Sequence, residues 1–404
     1  MKGKWALPAL SLGAGLAALS VSITDPILSN MATALGVSVP LLGQLVPIAS
    51  LAGVGGNLLL SPLLDRASRR DTLTLAMSGI VFCSLACAIA PSFITLAVAY
   101  CVLGLSAFTL LALVLASTGD LYQAEGMGRA MGWVVAGNVG IMMAGLPLAA
   151  ALAQAFTWRL AFMFLAAVAA LATVFIHRAV PSGLRPGQRP RVGYAGAFRE
   201  VLDNRGAFLL LLTVGLVHSS YYGLRRYLEP AAVSQLGLDS LKVAPVFSLF
   251  NLGTALAGVF AGRLLRNSDW RLPSAAALAC AILAVLVYRM PGGFAVFAVL
   301  ASLYGFAFGF LDVGMNSLLA SWQGGGRGVV MALRSVMDSL GGVCGPALGG
   351  MVVASEGYRA AGWAFSALAL SAAVTVAIVA RRPRVPSGLE HTADAVHVHD
   401  HRVE

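Results

Sequence analysis

The sequence predicts an all-α polytopic membrane protein, with twelve transmembrane helices in two pseudo-symmetric six-helix bundles. Three observations carry that reading. First, 58% of the 404 residues are hydrophobic and 11% are charged, with a mean hydropathy of +0.83. A soluble domain carries about 25% charged residues, so most of this chain has to face something other than water. Second, twelve apolar stretches are each long enough to cross roughly 30 Å of hydrocarbon. Third, landmark residues recur at a near-constant offset between the halves.

The net charge of +10 raises nucleic acid as a partner. The arginines are instead scattered through the short segments between apolar stretches and form no basic face, so none is expected. Cys83, Cys87, Cys101, Cys280 and Cys344 all fall inside apolar runs, which predicts small packing residues rather than disulfides. The start, Met1-Lys2-Gly3-Lys4-Trp5, has the charge of a signal peptide. The apolar run behind it offers no small-residue cleavage site before Asp25, so it reads as the first span.

In order, the predicted spans are 5–29, 43–64, 72–90, 95–118, 129–152, 159–178, 206–228, 243–266, 273–290, 293–321, 328–353 and 359–381. The long internal polar stretch, His177 to Arg205, with Pro181, Pro186, Pro190 and six arginines, joins the sixth span to the seventh. It divides the chain into an N-terminal bundle (1–178), a linker (179–205), a C-terminal bundle (206–381) and a polar tail (382–404). Basic residues orient the spans. With the N-terminus inside, twenty of the 27 Lys and Arg share the face of the termini, which predicts an inner-membrane protein with both termini cytoplasmic.

The halves echo one another. Arg66 has a counterpart in Arg263, 197 positions on, Arg129 in Arg327, 198 on, and Arg159 in Arg359, 200 on. This predicts a duplicated six-helix unit, the way secondary transporters build two bundles that rock about a midplane site.

Two motifs then bring a family into view. Between spans two and three stands Ser61-Pro62-Leu63-Leu64-Asp65-Arg66-Ala67-Ser68-Arg69-Arg70, and span eleven contains Gly341-Gly342-Val343-Cys344-Gly345-Pro346-Ala347-Leu348-Gly349-Gly350. The first resembles G-x-L-A-D-R-x-G-R-R of the major facilitator superfamily, with both glycines replaced by serine. The second resembles that family's G-x-x-x-G-P-x-x-G-G. The chain as a whole is most like the family's drug–proton antiporters and small-molecule exporters.

The resemblance implies that Asp65, Arg66, Arg69 and Arg70 form a conformational latch between the halves, closed when the cavity faces outward. It makes Gly341, Gly345, Pro346, Gly349 and Gly350 a helix-packing motif in which small residues allow close approach. Two departures bear on transport direction. Span five carries a degraded form, Gly140-Ile141-Met142-Met143-Ala144-Gly145-Leu146-Pro147. Where exporters have R-x-x-Q-G in span four, this chain has Tyr100-Cys101-Val102-Leu103-Gly104, without the arginine.

Ionisable residues inside spans are costly and mark function. Asp25, in Ile23-Thr24-Asp25-Pro26, resembles the Thr-Asp that opens many proton-driven exporters. Asp312 and Asn316 lie one helical turn apart in span ten, and Arg334 and Asp338 have the i,i+4 spacing that allows a pair on one face of span eleven. His218, Tyr221, Tyr222, Arg225 and Arg226 cluster within about two turns of span seven, suited to an anionic or aromatic substrate. Proton-coupling candidates are therefore Asp25, Asp312, Asp338 and His218. Candidates for the substrate cavity are Asn138, Tyr221, Tyr222, Arg225, Asn251, Asn316 and Arg334. The tail histidines His391, His397, His399 and His401 raise a metal, against the simpler reading of a solvated tail.

The function expected is secondary active transport by alternating access. The chain would be a monomer in the bilayer, without a resident cofactor, exporting a small organic compound on the proton gradient. The alternatives are a proton-coupled importer of a small organic anion and a nickel or cobalt exporter using the tail. An enzyme is not expected, because no Ser-His-Asp set, metal-ligand helix or Gly-rich phosphate loop stands in a suitable context. A transport-inactive sensor would carry a larger cytoplasmic domain than this linker and tail provide.

Overall fold

The computed structural model describes residues 5–64, 67–122, 124–184, 204–264, 271–290, 292–320 and 327–380. Twelve helical segments among them are long and apolar enough to cross a membrane. Spans one to six are Ala6–Leu35, Val39–Gly56, Arg69–Ile89, Phe93–Leu121, Arg129–Ala155 and Trp158–Ala179. Spans seven to twelve are Arg205–Arg226, Ser240–Ala261, Arg271–Arg289, Gly293–Leu319, Leu333–Glu356 and Tyr358–Val379. No strand occurs among the described residues.

The two halves pack alike. Span one lies against span five, two against four and three against six; seven against eleven, eight against ten and nine against twelve repeat these pairs in the second half. Across the halves, span five meets span eight and span two meets span eleven. Six spans return each half to its starting face, so the two ends of the described chain share one face of the bundle, the termini face. The opposite face is called distal below.

Span one is less regular than its apolar run suggests. Its helix stops at Ser22, a tight turn covers Asp25–Ile27, and a short helix Leu28–Leu35 follows. Pro26 has no N–H to donate and its ring opposes a continuous ladder. The second half repeats the plan, with Arg205–Arg226 followed by Leu228–Leu236. Both short helices end on a left-handed glycine, Gly36 at φ 64° and Gly237 at φ 63°, a conformation that a Cβ disfavours. These breaks put side chains of both halves at the distal face, where they meet.

Candidate transport cavity

The distal closure is built on Asp25, which is 4% exposed. Arg225 Nε lies 3.1 Å from its Oδ2, and Arg226 Nη1 lies 3.0 Å from its Oδ1. Arg226 also donates to Thr24 Oγ1 at 2.6 Å and to the Leu42 carbonyl at 3.2 Å. Asp25, Thr24 and Leu42 belong to the first half and both arginines to the second. Desolvated charges are tolerated only when paired and hydrogen-bonded, so these contacts hold the halves together where they are made.

Tyr100 steadies the turn that presents Asp25. Its hydroxyl donates to the Val21 carbonyl at 2.6 Å and lies 3.3 Å from Thr24 Oγ1. The position where related exporters carry an arginine thus supports the closure from below.

A cavity of about 990 Å³ extends from this closure towards the termini face, as far as Gly132 on one wall and Val259 on the other. Its lining is mostly apolar, drawn from both halves. Asn138 is one of the polar groups on the first-half wall. Asn251 lines the second-half wall, 8% exposed, with its amide nitrogen lacking a hydrogen-bond partner. Tyr221 stacks on Phe308 with centroids 3.8 Å apart and ring planes 21° apart.

The second-half wall carries the chemistry. Three spans bring His218, Tyr222, Asp312, Asn316, Arg334 and Asp338 together. Arg334 pairs with Asp312, not with Asp338 as the helical spacing suggested, because span eleven aims the guanidinium at span ten. Asn316 donates to Asp312 Oδ2 at 3.4 Å, and Tyr222 donates to Asp338 Oδ1 at 3.2 Å. His218 Nε2 faces Asp312 at 3.5 Å and Asp338 at 3.3 Å. The two carboxylates are 28% and 32% exposed, while the imidazole behind them is 6% exposed.

The protonation of this cluster follows from its acceptors. His218 Nδ1 lies 2.9 Å from the Val214 carbonyl. A carbonyl only accepts, so Nδ1 carries a hydrogen. A neutral ring would then aim the Nε2 lone pair at two carboxylates. A hydrogen on Nε2 would instead let the ring donate to either carboxylate.

The remaining sequence candidates fall as follows. A Cβ on Gly341 would come within 2.5 Å of His218 Cβ, and one on Gly345 within 2.1 Å of the Ser219 carbonyl oxygen. Gly349 packs on Tyr227 and Phe365, and Gly350 on Gln44 of the other half. The Pro346 carbonyl accepts from the Tyr227 hydroxyl at 3.0 Å. Of the proposed latch, Asp65 and Arg66 lie outside the described residues. Arg69 Nε pairs with Asp120 at 2.8 Å, joining spans three and four within the first half, and Arg70 opens span three beside it. The tail histidines also lie outside the described residues, among which no group of His, Cys, Asp and Glu is arranged to hold a metal.

A profile described as Major Facilitator Superfamily matches residues 10–321 and 272–399. The chain belongs to the major facilitator superfamily. This transporter is 26% identical over 382 residues to the transcription regulatory protein OpdE of Pseudomonas aeruginosa, covering 92% of this chain and 91% of that protein. It is 24% identical over 371 residues to the purine ribonucleoside efflux pump NepI of Salmonella enteritidis, covering 91% and 90%. Among solved structures it resembles the nucleoside transporter NupG, with a TM-score of 0.77 at 13% identity over 92% of this chain and 99% of that one. A bacterial homologue of the lysosomal transporter Spinster, solved inward-facing and unoccupied, matches with a TM-score of 0.69 at 18% identity, covering 93% and 94%. These likenesses fix the twelve-span fold, and membership of the family makes the chain a multi-pass transporter rather than an enzyme.

Proposed function

We propose that this transporter exports a small organic compound in exchange for protons, alternating between the distal-closed state described above and a state closed at the termini face. The observation that carries the reading is His218, whose Nε2 faces Asp312 at 3.5 Å and Asp338 at 3.3 Å on the cavity wall. A proton taken up there from one side and released to the other, when rocking changes the exposure of the wall, is the coupling step. Asp25 then serves the distal closure, and Asn138, Asn251 and the Tyr221–Phe308 stack meet the substrate. The arginine count supports a termini face in the cytoplasm of an inner membrane, and on that reading the distal-closed state faces inward. The likeness to NepI supports efflux as the direction and purine ribonucleosides as the first substrates to try.

The test uses proteoliposomes with a purine ribonucleoside. Asp312→Asn and Asp338→Asn should each abolish accumulation driven by a pH gradient while leaving substrate counterflow intact. Gradient-driven accumulation that survives in both variants overturns the coupling assignment.

A further inference from the structure

Glu229 stands outside the cavity and the ion pairs of Asp25, yet it is 0% exposed. It lies on Leu228–Leu236, the short helix beyond span seven. Both carboxylate oxygens are held. Oε2 accepts from the Ser29 backbone N–H at 3.2 Å and from the Ser29 hydroxyl at 3.0 Å. Oε1 lies 2.6 Å from the Ser240 hydroxyl. Ser29 belongs to the first half, so this side chain ties one half to the other at the distal face.

The same serine offers a second partner. Ser240 Oγ also lies 3.1 Å from Asn30 Oδ1 of the first half. A hydroxyl has one hydrogen. While Glu229 is ionised, the shorter contact takes that hydrogen and Asn30 goes without. A proton on Oε1 reverses the order: Glu229 donates to Ser240 Oγ, and Ser240 is free to donate to Asn30. Protonation thus adds one hydrogen bond between the halves and removes a buried charge.

We propose that Glu229 is a proton-binding site of the distal closure, and that taking up a proton there favours the closed state over the open one. Charge and burial around it agree with that. Arg226 faces it and is held by Asp25, which also engages Arg225; Tyr358, at the start of span twelve, is the other titratable group within electrostatic reach. With Glu229 ionised, the two carboxylates and two guanidiniums sum to zero, which lets the charged form persist. Burial still outweighs the hydrogen bonds from Ser240 and Ser29 and the charge of Arg226, pushing Glu229 up from 4.5 to about 7.

Opening separates Glu229 from Ser29 and admits water, which returns the carboxyl towards its ordinary value. The closed state therefore binds the proton more tightly. Lowering pH from about 7 towards 4.5 moves the population to the closed form, by up to roughly tenfold per pH unit, and above that window pH has no effect through this group. The sign is opposite to that of the coupling proton: this one is released as the distal face opens. Glu229 is accordingly a brake that acidity on the distal side applies. The inference rests on the two alternating states proposed above, but not on their coupling.

The experiment reads conformation rather than transport. Spin labels at Ala34→Cys and Ser234→Cys, on the chain with its five native cysteines replaced by alanine, report the distal separation in lipid nanodiscs. From about pH 8 to about pH 5 the long-distance population should fall in steps of up to tenfold per unit. Glu229→Gln should favour the short distance and abolish this acid-driven fall. Ser29→Ala removes a donor that holds the ionised form more strongly than the protonated one, so it should move the midpoint to higher pH, and it decides the matter if the glutamine variant does not fold. An unshifted population in the unsubstituted chain, an acid-driven fall of the long-distance population retained by Glu229→Gln, or an unmoved midpoint in Ser29→Ala each overturns the proposal. Loss of coupling in the carboxylate variants of the cavity leaves these distances as expected, so the two readings fail separately.

Discussion

Asp25 and Arg226 stand 201 positions apart in the chain and 3.0 Å apart in the structure. Ser29 and Glu229 repeat the relationship at 200 positions, and Thr24 with Arg226 at 202. Each pair joins a position of one half to its counterpart in the other, within a residue or two. Two parallel repeats are related by an axis along the membrane normal, and equivalent positions touch only beside that axis. The distal closure therefore sits on the pseudo-twofold axis, where one rocking motion parts all these contacts together.

Asp25→Asn removes the carboxylate that both buried guanidiniums engage directly. Breaking a buried pair by removing one partner costs roughly 3–5 kcal/mol, which is more than a hundredfold in the balance of two states. The distal separation measured by spin labels should shift to the open distribution, and transport should fall. Adding Arg225→Gln removes one of the stranded charges and should recover part of the loss. No recovery in that double variant would show that the ion pair is not what holds the closure.

Tyr100→Phe deletes the hydroxyl that donates to the Val21 carbonyl beneath Asp25. A hydrogen bond of this kind contributes about 1 kcal/mol, so a slightly lower melting temperature with transport retained is expected. Tyr100→Arg sets the side chain found in related exporters into a buried site already close to Arg226. It adds a third buried cation beside the two guanidiniums that Asp25 already engages, and failure to accumulate folded protein is the expected result.

Glycines in the second half separate into two kinds. A Cβ on Gly345 would lie 2.1 Å from the Ser219 carbonyl oxygen, which is backbone and cannot swing aside, whereas a Cβ on Gly258 meets nothing within 4 Å. Gly345→Ala should therefore force spans seven and eleven apart and lower the melting temperature in detergent sharply. Gly258→Ala should raise stability by up to about 1 kcal/mol through helix propensity. Equal effects would mean that close approach is not why Gly345 is there.

Much of this architecture was legible in the residues, and the reasons are physical. Apolar length marks a span because unsatisfied backbone groups are intolerable in hydrocarbon, so the twelve crossings and the two-bundle plan follow from hydropathy and the 197–200 offset. The break in span one at Pro26 was also open to reading, since proline cannot continue the ladder. Partner choice was harder. Helical spacing offered Asp338 to Arg334, but span ten presents Asp312 instead, and only the packing of three spans decides between them. Glu229 was passed over because it falls between apolar runs, where a carboxylate ordinarily meets water. The duplication held the signal that was missed: adding 200 to Ser29 gives Glu229, and adding it to Asp25 gives Arg225.

The last prediction concerns charge movement. If one proton enters for each neutral nucleoside that leaves, every cycle carries a net positive charge across the membrane. One elementary charge crossing 100 mV is worth about 2.3 kcal/mol, or roughly a fiftyfold accumulation ratio. A potassium diffusion potential imposed on proteoliposomes at equal pH on both sides should then drive nucleoside movement by itself, in the direction that opposes the entering charge. His218→Ala removes the ring that faces Asp312 and Asp338, and it should abolish this voltage response while counterflow continues. A neutral substrate moving at the same rate with and without the potential would mean that no net charge accompanies it, and the His218 cluster would then be a structural network rather than the coupling site.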